Sequence, residues 1–197
     1  MTTAVSGFST APLWYTTRST GLIAYVLLTV AAALGIAATQ RAMSGPRWPR
    51  FATQDLHRNL SLLGLVFVIV HVATSVLDSF VNISWLAYVV PGVSHYRWWQ
   101  VALGTISFDL LLVVVITSVL RTRLPSSLWR PVHLASYAAW PLLFLHFLLT
   151  GTDTHRWSWG MWLALAGIAV VGLGGVVRLA NADVPDGPAR SLRGEPS

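Results

Sequence analysis

Six histidines occur in the chain, and four of them fall in or at the edge of two apolar stretches: His57 and His71 in one, His133 and His146 in the other. An ionisable side chain among apolar residues meant for lipid is costly and seldom idle. A single such histidine can be satisfied by a neighbouring helix; four of them, paired on two helices, point to ligand chemistry. Neutral imidazole is a common ligand for metals and for haem iron. The spacings of fourteen and thirteen residues are helical rises of about 21 Å and about 20 Å. If the two stretches run the same way, His57 and His133 share one level and His71 and His146 another. Two stacked haems, each held by two imidazoles from the same pair of helices, require that arrangement. The facing is uneven. Fourteen residues bring His71 within about 40° of His57, whereas thirteen leave His146 about 140° from His133 on an ideal helix. Pro141 predicts a kink that restores the facing, and Pro131, at a helix-starting position, predicts an irregular first turn around His133.

Other residues offer weaker chemistry. Asp109 lies in the middle of an apolar run, where a charge is expensive. It reads equally as a proton relay or an orienting partner for a ligating histidine, and as a protonated acid bonded to a serine, threonine or backbone group. Arg58 and Arg130 flank the inner histidine level. They suit haem propionates through charge-assisted bonds, and they serve as well as topology charges; Arg50 is a topology charge only. His95 and His155, close to Arg97, Arg156 and Asp153, read as exposed loop residues, with binding of an iron chelate or an anionic acceptor the alternative. No Ser/His/Asp or Cys/His nucleophile arrangement and no H-E-x-x-H zinc signature occurs.

These residues sit in a chain of 197 residues that is 54% hydrophobic, 10% charged and of mean hydropathy +0.62. Soluble domains carry about 25% charged residues, so the composition is that of an integral membrane protein. With no cysteine, disulfides, iron–sulfur clusters, thiolate zinc sites and covalently attached c-type haem are excluded. All thirteen basic residues are arginines at the edges of apolar runs, which speaks for lipid headgroups and topology and against nucleic acid.

Five stretches are long enough to span a bilayer as helices: Gly21–Ala38, Leu60–Leu77, Val101–Leu120, Pro131–Thr150 and Met161–Leu179. Alternating barrel strands are absent, so the expected fold is an all-α membrane bundle of about five helices. Spans two and four then run in the same direction. Ten arginines fall on one side of the spans and three, Arg18, Arg97 and Arg156, on the other. Positive-inside bias puts the N-terminus outside and the C-terminus in the cytoplasm. The expected organisation is an outer segment 1–18, a membrane domain 19–180 and a disordered cytoplasmic tail 181–197 rich in proline and glycine. The first span reads as a retained anchor, because its apolar run continues past Ala31-Ala32-Ala33 to Ala38. Trp98, Trp99, Trp157, Trp159 and Trp162 on the outer side, with Trp48 and Trp129 on the inner, read as an interfacial belt. The loop Asp78–Tyr96 is predicted to hold an interfacial helix ended by Pro91-Gly92. No internal repeat stands out.

The pairs His57/His71 and His133/His146 resemble the two histidine pairs of the ferric reductase-like transmembrane domain. That superfamily includes ferric reductases, NADPH oxidases and the haem subunit of the periplasmic methionine sulfoxide reductase system. Supporting words are Leu56-His57-Arg58-Asn59-Leu60-Ser61, Trp85-Leu86, Gly104-Thr105-Ile106-Ser107-Phe108-Asp109-Leu110 and Trp140-Pro141-Leu142, and the likeness covers about residues 13 to 180. The resemblance implies a multi-pass plasma-membrane protein with two b-type haems, His57 and His133 binding the inner iron and His71 and His146 the outer. Larger members attach a flavin and nicotinamide domain and carry one more span before these five. Here no G-x-G-x-x-G follows a strand, and Gly172-Leu173-Gly174-Gly175 reads as close helix packing. Flavin is therefore expected only through a partner, with a flavoprotein or quinol as separate electron donor and a periplasmic protein, ferric iron or oxygen as acceptor. Two alternatives stand beside this oxidoreductase component: a haem subunit feeding a partner periplasmic reductase, and a haem-free bundle whose histidines carry metal ions or protons.

Overall fold

A computed structural model describes residues 11–40, 50–78, 81, 83–154 and 158–182. These residues are helical or in connecting turns, with no strand among them. The helices are α1 (Ala11–Gln40), α2 (Arg50–Leu77), α3 (Trp98–Val119), α4 (Ser126–Leu134), α5 (Ser136–Thr150) and α6 (Trp159–Ala182), with a 3₁₀ turn at Trp85–Tyr88. Counting α4 and α5 as one crossing, five helical segments are long and apolar enough to traverse a membrane. The chain is a multi-pass membrane protein.

The apolar stretches mark where the helices cross, and the helices themselves run further. At 30 residues, α1 begins at Ala11, inside the expected outer segment. At about 1.5 Å per residue it outreaches the roughly 30 Å hydrocarbon layer, so its ends project into the headgroups. α2 begins at Arg50, which places His57 well inside it. α6 continues to Ala182, and the rest of the expected tail lies outside the described residues.

α1 is the most enclosed helix, packed along α2 and touching α5 and α6; α3 packs along α5 and reaches α4. Small residues permit the close approaches. A Cβ on Gly64 of α2 would stand 2.8 Å from Leu28, and one on Gly167 of α6 would run into the Tyr25 hydroxyl. Within the glycine-rich run of α6, Gly174 packs against Ile36, while Gly172 and Gly175 face open space. Two apolar clusters fill the bundle. Ala24, Leu28 and Val68 gather Phe67, Val72, Phe108, Leu111 and Leu143; Tyr25, Phe144 and Ala164 gather Trp140 and Phe147. Two polar contacts join helices in the interior: Ser107 Oγ donates to the Ala139 carbonyl at 3.0 Å and Trp140 Nε1 to Thr29 at 3.1 Å.

The loop after α2 forms a single 3₁₀ turn rather than the predicted interfacial helix. Ser84 starts it, accepting from the Leu86 N–H, and Val89 ends it; Gly92, at φ +89°, then supplies a left-handed backbone. The turn is fastened to the bundle. Thr105 Oγ1 donates to the Ala87 carbonyl at 2.7 Å, and the Tyr88 hydroxyl lies 2.8 Å from Ser75 Oγ. Burial pushes the Tyr88 hydroxyl above its ordinary pKa, against the smaller opposing effect of the bond to Ser75. On the same side Arg18 is paired with Asp153, tying α1 to the turn before α6. Trp98, Trp99, Trp159 and Trp162 are exposed at this end, as an interfacial belt requires; Trp48 and Trp157 lie outside the described residues.

Candidate functional site

The four histidines meet in two pairs. The ring centres of His57 and His133 are 6.3 Å apart with planes at 75°, and those of His71 and His146 are 6.4 Å apart with planes at 80°. One pair lies toward each end of the bundle.

Each ring is fixed from behind. His57 Nδ1 donates to the Ala31 carbonyl at 2.8 Å, His71 Nδ1 to Thr17 at 2.7 Å and His146 Nδ1 to Gln100 at 2.8 Å. A carbonyl only accepts, so Nδ1 carries the proton in these three rings, and the Nε2 lone pair is left for a ligand. Each acceptor stands four residues before a glycine: Gly35, Gly21 and Gly104. A helical carbonyl is already engaged by the N–H four residues on. Its second lone pair is reached over the side-chain position of that residue, and glycine leaves that position empty. A Cβ there would lie 2.8 Å from His71 at Gly21, 2.7 Å from His146 at Gly104 and 3.2 Å from His57 at Gly35. The fourth site differs. His133 Nδ1 lies 3.2 Å from the hydroxyl of Ser118, fourteen residues after Gly104, and its ring is stacked on Trp129 at 5.1 Å. Arg121 lies over the other ring of that stack, Trp129, at 5.4 Å.

The helices therefore repeat one device. α1 offers Gly21 and Gly35 to the histidines of α2, and α3 offers Gly104 and Ser118 to those of α5 and α4. Sequence reasoning found the histidines and passed over their supports. The signal was the fourteen-residue spacing of Gly21 to Gly35 and of Gly104 to Ser118, equal to that of His57 to His71.

The facing of His133 and His146 is resolved between the prolines rather than at one of them. The helix is interrupted at Ala135, which closes α4 and opens α5; its N–H bonds to Val132, three residues back, at 3.0 Å. Such a 3₁₀ step breaks the register, and the two rings turn to the same neighbour, α2.

The dimensions fit a bis-imidazole haem. Two imidazoles on opposite sides of one iron, at the usual metal–nitrogen bond of about 2.0 Å and roughly 1.1–1.2 Å from nitrogen to ring centre, stand about 6.3 Å apart. α2 on one side and α4 with α5 on the other, which carry the rings, do not pack closely against each other; they lean on α1 and α3, which bear the glycines. Among the described residues no three histidines, cysteines, aspartates or glutamates converge, so each tier supplies only two donors. Two donors fall short of a protein-only zinc site, which takes three or four, and suit a macrocycle that brings four of its own.

The remaining predicted residues are spread out. Arg58 and Arg130 are exposed at the His57–His133 level and enter no ion pair among the described residues. Asp109 is half-buried on α3 and touches none of the four rings through a hydrogen bond; the orienting partners are those just named. His95 is exposed, Arg97 donates to the Leu149 carbonyl at 3.2 Å, and His155 and Arg156 lie outside the described residues.

Comparison with curated proteins and with solved structures finds no match. A family model does match: the ferric reductase like transmembrane component, over residues 20–144. The matched segment runs from α1 into α5 and takes in His57, His71, His133 and the three glycines. Domains of this family generally bind haem and work in the membrane beside a separate electron donor. By its five spans and by this match over most of its length, the chain belongs to the ferric reductase-like transmembrane component family.

Proposed function

We propose that this membrane electron-transfer component is a two-haem b-type cytochrome. It takes electrons from a separate flavoprotein or quinol on the cytoplasmic side and delivers them to an acceptor at the outer face. The observation that carries the reading is the bis-imidazole separation of ring centres, found twice, in both tiers. Bound haem supplies one-electron redox chemistry at iron.

The residues of the chain do the rest. His57 and His133 hold the inner iron, and His71 and His146 the outer, through Nε2. The carbonyls of Ala31, Thr17 and Gln100 fix three of these rings and raise their basicity. With two histidines committed to each haem, the group would supply one-electron transfer to an acceptor that need not bind the metal. Arg58 and Arg130 neutralise the inner propionates. Phe67, Phe108, Leu111 and Leu143, gathered on Ala24, Leu28 and Val68, keep water from the path between the tiers.

The test is a haem count and a spectrum on the purified chain. Dithionite reduction yields b-type bands, and a pyridine haemochrome assay yields about two haems per chain. His71→Ala or His146→Ala removes the outer haem and leaves about half the absorbance; His57→Ala or His133→Ala removes the inner. A folded, colourless protein, or complete loss from every single variant, overturns the reading. Oxidation of the reduced protein by ferric chelates added outside, compared with oxidation by a purified periplasmic reductase, identifies the acceptor class.

A further inference from the structure

Asp109 is the twelfth of the 22 residues of α3, so it sits at mid-membrane. At about 100° per residue it lies roughly 140° round the helix from Gly104 and about 180° from Ser118. The face of α3 that serves the histidines is therefore turned away from it. α3 packs on α5, α4, α2 and the 3₁₀ turn and makes no more than incidental backbone contact with α1 or α6, which leaves it at the edge of the bundle. Asp109 has no hydrogen-bond or ion-pair partner among the described residues. Its neighbours on that face are exposed apolar side chains: Ile106, Val113, Ile116 and Leu120. With Asp109 they follow a spacing of three, four, three and four residues, the seam by which one helix meets another. A carboxyl facing hydrocarbon alone is costly, and membrane acids are normally bonded to something.

We propose that this face of α3 is the interface for a second copy of the chain, in which the two Asp109 carboxyls hydrogen-bond to each other. Two copies inserted in the same direction bring Asp109 to one depth about a two-fold axis along the membrane normal, and the seam meets itself. A neutral carboxyl carries one donor and one acceptor, so two identical ones satisfy each other without any further group. A helix of another protein would have to bring a matching polar group to the same depth; a second copy has it by construction.

Because the chain has no cysteine, single cysteines report on the contact cleanly. Val113→Cys and Ile116→Cys, treated with copper phenanthroline in membranes, give covalent dimers of twice the chain mass. Leu173→Cys, exposed on α6, does not. In Val113→Cys, adding Asp109→Ala weakens dimerisation about tenfold or more, the range of two interhelical hydrogen bonds lost together in a bilayer. Adding Asp109→Asn, whose amide also donates and accepts, retains it. The haem spectrum, unchanged in both variants, shows that the bundle remains folded. Equal cross-linking from α6, no dependence on Asp109, or cross-links only to a different protein overturns the proposal.

Discussion

A histidine offers one nitrogen to a ligand most readily when its other nitrogen is committed, and here that commitment is made mostly by backbone. Three imidazoles are held by carbonyls that glycines uncover, and the fourth by a serine hydroxyl. The glycines are thus part of the site. Gly104→Ala places a methyl group 2.7 Å from His146, which must turn off its rotamer or push α3 away. The expected cost is about 1–3 kcal/mol, with selective loss of the outer haem, read from the haem count and from thermal melting. Gly175→Ala on α6 meets nothing within 4 Å and is expected to leave the haem count unchanged. At this scale the sequence was half legible. Histidine is rare enough in an apolar run to announce itself. A carbonyl belongs to every residue, so nothing in the letters Ala31, Thr17 or Gln100 marks an acceptor.

The elements show the same division. Runs of apolar residues locate crossings because the bilayer imposes their length, and all five expected spans have a helix. Local geometry was harder to read. The thirteen-residue interval of His133 to His146 signalled a broken helix, and the prolines suggested where; the interruption falls at Ala135, between them. Periodicity cannot locate such a break, because neither proline bonds at the residue where the turn tightens. The loop ahead of α3 reads as an interfacial helix from its apolar content, yet its serine cap, its tie to Thr105 and the left-handed Gly92 confine it to one turn. Inserting one alanine after Ala135 tests the importance of the break. It rotates α5 by about 100° against α3, taking His146 from Gln100 and Ser107 from Ala139. The expected result is loss of the outer haem with the inner retained, seen as half the reduced absorbance.

The whole molecule is two helix pairs of one design, α1 with α2 and α3 with α4 and α5, closed by α6 against α1. No repeat is visible in the sequence because the shared parts are only two small residues and two histidines per pair, set among interchangeable apolar side chains. Direction across the membrane rests on the arginines. A fluorescent protein fused to the C-terminus is therefore expected to be bright, and alkaline phosphatase at the same position inactive; the opposite pattern would reverse the inner and outer tiers. The wide separation of α2 from α5 has a further consequence. On the two-haem proposal, the folded state would draw part of its free energy from the groups bound between these helices. A cell short of iron or porphyrin would then accumulate loosened chains open to membrane proteases. The level of this protein would follow haem supply without any change in transcription.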